Sequence, residues 1–216
     1  MFAGFPPEAL TFYSGLEADN SKAYWEAHRD VYEDAVREPL EELIAEVGPE
    51  FGTAKVFRPY RDVRFSKDKS PYKTAAAAVM VENGHAAAAR YVQVGANGLW
   101  CGGGLYEPDR GQLQRIRRAI ADQPGAELAG IIQNVEAAGL SYMEPELKTA
   151  PRGYPKDHPR IDLLRRKRHA AIARHEPGAW LHGREALDRI VADWRAITPL
   201  LDWLERHAGP AEEIRR

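Results

Sequence analysis

The sequence predicts an α+β protein: a mainly antiparallel sheet with helices packed on one side, in a single domain over residues 1–209. Three observations carry that expectation. Apolar residues recur at helical spacing in the first fifty positions and again after Pro108. Between them the period drops to two, and Asn-Gly pairs at 83–84 and 97–98 punctuate it as hairpin turns would. The chain has 216 residues, 44% of them hydrophobic and 29% charged, enough for a substantial core.

Taken in order, Pro6-Pro7 and Glu8 make a helix entry, followed by Leu10, Tyr13 and Leu16. Asp19-Asn20-Ser21 offers N-caps to a second helix. Along that helix Trp25, Tyr32, Val36, Leu40, Leu43 and Val47 share one side, with Trp25 and Tyr32 read as core aromatics, and Pro39 is expected to kink or split it. After Gly52 the period of two begins. Val56, Arg58, Tyr60, Asp62 and Arg64 would share one face of an extended segment, and Phe57, Val63 and Phe65 the other. Pro59 predicts a bend, a bulge or an edge.

Residues 66–71 read as a loop, and the alanine-rich stretch 74–82 fits strand or helix. Tyr91-Val-Gln-Val and the segment from Leu99 to Tyr106 read as strands of a meander. Helices follow from Pro108-Asp109 and over Leu128–Val135. Residues 140–150 are expected to return to the sheet, a short helix to follow Pro159, and Ala170–Arg174 to form a last strand. A final helix starts near Arg184 and is restarted by Pro199; residues 210–216 read as a loose tail.

Cys101 is the sole cysteine, so no intrachain disulfide can form, which fits a reducing compartment. It reads as a buried strand residue without a detectable histidine partner. The start lacks a basic and an apolar region of signal-peptide type, and no apolar run approaches a membrane span; a cytoplasmic protein with no membrane partner is expected. The seven histidines show no HExxH or paired spacing, so no metal is expected. Gly102-Gly103-Gly104 lacks a GK[ST] or dinucleotide fingerprint, and Glu107 and Asp109 would repel a phosphate there. Close strand packing or a bulge explains those glycines, and no cofactor is expected.

The chemistry concentrates between Lys55 and Lys73. Seven basic residues (Lys55, Arg58, Arg61, Arg64, Lys67, Lys69, Lys73) stand against Asp62 and Asp68, a net of +5 in a chain of net charge −2. Residues 1–50 hold twelve acids against Lys22, Arg29 and Arg37. Arginine keeps its charge and grips carboxylate or phosphate with two parallel bonds. On the extended reading Arg58, Asp62 and Arg64 project together, and Asp62 orients the guanidinium groups. Arg61 points the other way, toward the acidic helix. Lys67, Lys69 and Lys73 flank the loop, and Tyr72 supplies a hydroxyl or a stacking face.

Three readings stay open. The cluster binds an anionic, phosphate-bearing small molecule; or it is an internal lattice of ion pairs; or Asp62, Asp68 or Tyr72 carries protons in an enzyme acting on a phosphorylated or nucleic-acid substrate. Whether the protein is an enzyme is left open. A second basic run, Arg160 and Arg165 to Arg168 with Lys148, Arg152 and Lys156, would add a nucleic-acid groove if it lay beside the first. His158, in a polar loop, is a further ligand-binding candidate.

The spacing Arg58-x-x-Arg61-Asp62-x-Arg64-Phe65-x-x-Asp68-Lys69-x-x-Tyr72-Lys73 resembles the hallmark of a bacterial and fungal family known as domain of unknown function 2461. Gly102 to Pro108, Pro151 to Pro159 and Pro199 to Leu204 resemble family segments too, so the resemblance covers nearly the whole chain. Asp19 to Trp25 departs from the family's Asn-rich entry to a Trp-Phe pair. The resemblance implies a site and no particular activity.

Overall fold

The computed structural model describes residues 1–64, 66–82 and 87–211. The expected turn at Asn83-Gly84, the orientation of Phe65 and residues 212–216 of the expected tail lie outside them. The helices are α1 (Pro7–Ala18), α2 (Lys22–Ala27), α3 (Arg29–Val31), α4 (Glu38–Phe51), α5 (Arg110–Ala121), α6 (Pro124–Ala137), α7 (Ile161–Leu164) and α8 (Glu185–Ala208). The strands are β1 (Thr53–Val56), β2 (Ala75–Val81), β3 (Ala89–Gly95), β4 (Gly98–Leu105), β5 (Ser141–Tyr142) and β6 (His169–His175). They form one six-stranded antiparallel sheet in the order β1-β2-β3-β4-β6-β5. The fold is α+β. Ser141 pairs with Ile172 and Tyr142 with Ala171.

The described chain divides into two compact units. The first comprises Met1–Met80, Tyr91–Cys101 and Arg174–Ala192. Its core gathers Phe2 and Phe5 from the segment before α1, Phe12, Tyr13, Leu16, Val36, Leu40 and Leu43 from the helical stretch that follows, and Met80, Val92, Val94 and Leu99 from the strands. Burying each such side chain contributes roughly 1.5–3 kcal/mol. The second comprises Val81–Arg90, Gly102–Ala173 and Asp193–Arg216, with Ile116, Ile120, Leu128, Trp194, Ile197 and Trp203 among its core residues.

Local chemistry explains the element ends. Ser21 caps α2 by accepting from the Tyr24 N–H, and Asp109 and Gln112 form a reciprocal capping box at α5. Pro39 does not split its helix. A π-helical turn, Tyr32–Arg37, leads directly into α4, and the widened ladder there accommodates a residue that has no N–H to give. Pro199 does not restart the last helix either. α8 runs through it, and the Thr198 hydroxyl donates to the Trp194 carbonyl at 2.9 Å one residue before the break in the ladder.

Within the ambiguous stretch 74–82, Ala75–Val81 form strand β2. The expected return over 140–150 is confined to Ser141–Tyr142. The triple glycine is a packing device, as the sequence suggests. A Cβ on Gly102 would lie 2.1 Å from the Ala171 carbonyl oxygen, and one on Gly103 2.7 Å from that of Ala89.

Candidate functional site

The basic segment folds in the first unit, and its extended pattern is interrupted before Pro59, where the sequence leads one to expect a bend, a bulge or an edge. Regular structure stops at Val56. Beyond it the chain pairs with the far end of its own loop: the Arg61 N–H donates to the Pro71 carbonyl at 2.8 Å and the Lys73 N–H to that of Pro59 at 2.8 Å, around a bridge between Tyr60 and Tyr72. Residues 59–61 and 71–73 thus make a short ribbon, and the loop between them carries Asp62 to Ser70.

Two contacts with the N-terminal segment fix this ribbon. The Asn20 carboxamide takes both main-chain groups of Tyr72: its Nδ2 donates to the carbonyl at 3.1 Å, and its Oδ1 accepts from the N–H at 3.0 Å. The Tyr72 ring stacks on Trp25, with centroids 4.4 Å apart and planes 7° from parallel. Tyr72 is therefore buried and serves as an anchor; of the hydroxyl or stacking face read from the sequence, its ring provides the stacking face. Burial raises its pKa further above the usual value.

The ribbon's two faces border different cavities. Arg58, Pro59 and Tyr60 line one of about 340 Å3, together with Trp25, Tyr32 and the ladder Glu33–Arg37–Glu41. Arg37 donates to both glutamates, at 3.0 Å and 2.8 Å, so this cavity's acids are already answered. Arg61 and Lys73 line the other, of about 450 Å3, with Phe57, Thr74, Ala75, Ala77, Tyr91 and Gln93. None of these eight lining residues carries a carboxylate. The Lys73 ammonium lies 4.9 Å from the centroid of the Phe57 ring. Its pKa is lowered, first by burial and then by the Arg58 charge.

The remaining charges sort by partner. Arg64 grips Asp62 with two parallel bonds, Nε to Oδ1 at 2.9 Å and Nη2 to Oδ2 at 2.6 Å. Asp62 orients its arginine as expected, but it does so out in solvent, where the pair contributes little to stability. Arg61 pairs with Asp68, and not with the acidic helix as its strand parity suggested, because the ribbon ends where the loop turns back. Asp68 also accepts from the Ser70 hydroxyl at 2.6 Å and the Ser70 N–H at 2.9 Å. Those Ser70 bonds, and then Arg61, bring its pKa down to about 2. The Arg64 bonds lower that of Asp62 too. Carboxylates held this acidic are poor proton carriers at neutral pH. Lys69 donates to the Val63 carbonyl at 2.9 Å. Lys67 and Arg58 make no ion pair with a described residue.

The other candidates lie in the second unit. His158 accepts from the Arg160 N–H through Nδ1 at 3.0 Å and belongs to the turn that starts α7. The second basic run is spent largely on main-chain carbonyls. Arg160 donates to those of Ile120, Ala121 and Asp122, Arg165 to Leu147, and Arg166 to Met143 and Asp162. In the same unit His169 is fully buried, its Nδ1 2.8 Å from the Tyr142 hydroxyl. Burial, then Arg166 and Arg117, push its pKa down to about 3.

Three features escape the sequence reading. Asn20 reads there as helix punctuation, yet it holds the ribbon. Tyr91 and Gln93 read only as strand residues, yet they wall the cavity; two polar side chains at i and i+2, alternating with Val92 and Val94, are the signal. Cys101 does have a histidine neighbour: its Sγ and a ring nitrogen of His175 lie within 4.8 Å of each other.

The fold is α+β, and its first unit carries a basic loop whose two ends pair with each other. The family model described as "Conserved hypothetical protein (DUF2461)" matches residues 8–203, and the chain belongs to that family. No curated protein matches the chain. No solved structure matches it. Among the described residues no helix is long and apolar enough to cross a membrane.

Proposed function

We propose that this protein binds an anionic, phosphate-bearing ligand in the cavity bordered by Arg61 and Lys73. The observation that carries the reading is the composition of that wall: two cationic side chains and no acid among the eight lining residues, around about 450 Å3. An unanswered ammonium that burial already drives toward its neutral form is relieved when an anion arrives. Arg58 adds to the positive field at Lys73, and Lys67 is a further cation that pairs with no carboxylate among the described residues. Asp62, Arg64, Asp68 and Lys69 hold the loop's shape in this reading, and Tyr72 anchors it.

A second reading, an internal ion-pair lattice, is favoured by the Arg64–Asp62 and Arg61–Asp68 pairs. It accounts for half of the loop and leaves Lys73 and Arg58 without a role. A thermal-shift screen of nucleotides, sugar phosphates, inorganic phosphates and oligonucleotides separates the two, because a ligand that binds only the native state raises Tm. Binding predicts a rise that grows with concentration for phosphate-bearing compounds. The lattice predicts none.

A further inference from the structure

The donors around the cavity outnumber its two cations. Tyr91 and Gln93 lie two residues apart on β3, so their side chains leave the same face of the strand, while Val92 and Val94 point into the core. Both line the cavity. The Tyr91 hydroxyl donates to Gln93 Oε1 at 2.5 Å. That bond occupies the acceptor end of the carboxamide, and its NH2 end makes no hydrogen bond with a described residue. A primary amide held this way offers two N–H donors and no charge.

We propose, building on the anion-binding reading, that Gln93 contacts the ligand as a third donor and that Tyr91 positions it. The set selects an acceptor-only oxyanion of the phosphate type, presented as a terminal phosphate or pyrophosphate group. The chemistry is one of matching. Phosphate oxygens only accept, and the wall offers them a guanidinium, an ammonium and an oriented amide. A ligand portion rich in hydroxyls would find no carboxylate there to receive its protons. Arg61 and Lys73 supply attraction. Gln93 supplies direction, since its N–H vectors are fixed by the bond at the other end of the same amide.

The same phosphate chemistry occurs in small esters and in a nucleic-acid backbone, and the test distinguishes them. Binding of inorganic pyrophosphate is measured calorimetrically on the full chain, with oligothymidylate lacking terminal phosphates as a parallel titrant. The variants are Gln93→Ala, Gln93→Glu, Gln93→Lys, Tyr91→Phe and the Tyr91→Phe/Gln93→Ala pair. Wild type is expected to bind pyrophosphate. Gln93→Ala should weaken it about ten-fold, in keeping with loss of a hydrogen bond to a charged group. Gln93→Glu should weaken it far more, and Gln93→Lys should tighten it, a gain that mere loss of folding cannot imitate. Tyr91→Phe should weaken binding less than Gln93→Ala and add nothing in the double variant, since it acts through Gln93. Wild-type binding with all Gln93 variants unchanged overturns the assignment and leaves the anion-binding reading intact. Binding of oligothymidylate in preference to pyrophosphate overturns the ligand class. Wild-type binding of neither refutes the anion-binding reading itself.

Discussion

Asn20 and Tyr72, 52 positions apart, are joined by two hydrogen bonds in which one side-chain amide replaces the pairing a neighbouring strand would give. This clamp closes the basic loop on the helical segment and leaves the Tyr72 ring flat against Trp25. The loop's shape is therefore imposed from outside the motif, by a residue that itself carries no charge.

Asn20→Ala removes both bonds and strands the N–H and carbonyl of Tyr72 in a partly buried place. The expected cost is about 1–3 kcal/mol. Chemical denaturation measures it. Asn20→Asp should recover only part, because a carboxylate accepts from the Tyr72 N–H but cannot donate to its carbonyl. Equal stability in all three proteins would contradict the clamp.

Asp68 gives a prediction with a pH signature. Its folded pKa, about 2, lies below the usual value of 3.8, so the folded state holds the charged form more firmly than the unfolded state does. The resulting stabilisation is present above pH 3.8 and disappears as pH falls toward 2. Asp68→Asn should be less stable than wild type at neutral pH, with the gap closing over that window. The residue is exposed, so the gap is small. A gap independent of pH would show that the charge is not its source.

His169 works in the same direction through the opposite chemistry. Its folded pKa is about 3 against the usual 6.5, because the buried ring resists protonation. The unfolded chain takes up that proton as pH drops below 6.5 while the native chain does not, so stability falls between pH 6.5 and about 3. His169→Gln should flatten this part of the stability profile, whatever it does to the stability near neutrality. Parallel profiles for the two proteins would contradict the assignment.

How far the sequence reaches can be judged residue by residue. The α+β class, the capping of α5 at Asp109 and the close packing at Gly102–Gly104 are written locally, in period, cap chemistry and absence of a side chain, and they can be read there. The location of the basic cluster is legible for the same reason, as a density of charge. Which way each charge points is not. Arg61 faces Asp68, and Lys73 faces Tyr91 and Gln93, because residues 59–61 pair with residues 71–73, and that pairing depends on Asn20 and Trp25 far up the chain. Period-two parity, extrapolated past Val56, keeps Arg64 with Asp62 but sends Arg61 to the acidic helix instead of to Asp68. Pro39 and Pro199 show the same limit in helices, where neighbouring side chains and a π-helical turn absorb a break that local propensity alone would make.

Lys73 carries the last prediction. Its pKa lies below the usual 10.5, and a bound anion restores the charged form, so ligand binding takes up protons in the alkaline range. Affinity should hold near neutrality and decline as pH rises toward 10.5, earlier than an ordinary lysine would dictate. The most direct measurement is a calorimetric titration of inorganic pyrophosphate into wild type and Lys73→Met at low and moderate salt. The account predicts saturable wild-type binding that weakens with salt, and a loss of ten-fold or more in the variant at unchanged Tm. The absence of a wild-type binding isotherm, or equal affinity in both proteins, would contradict it.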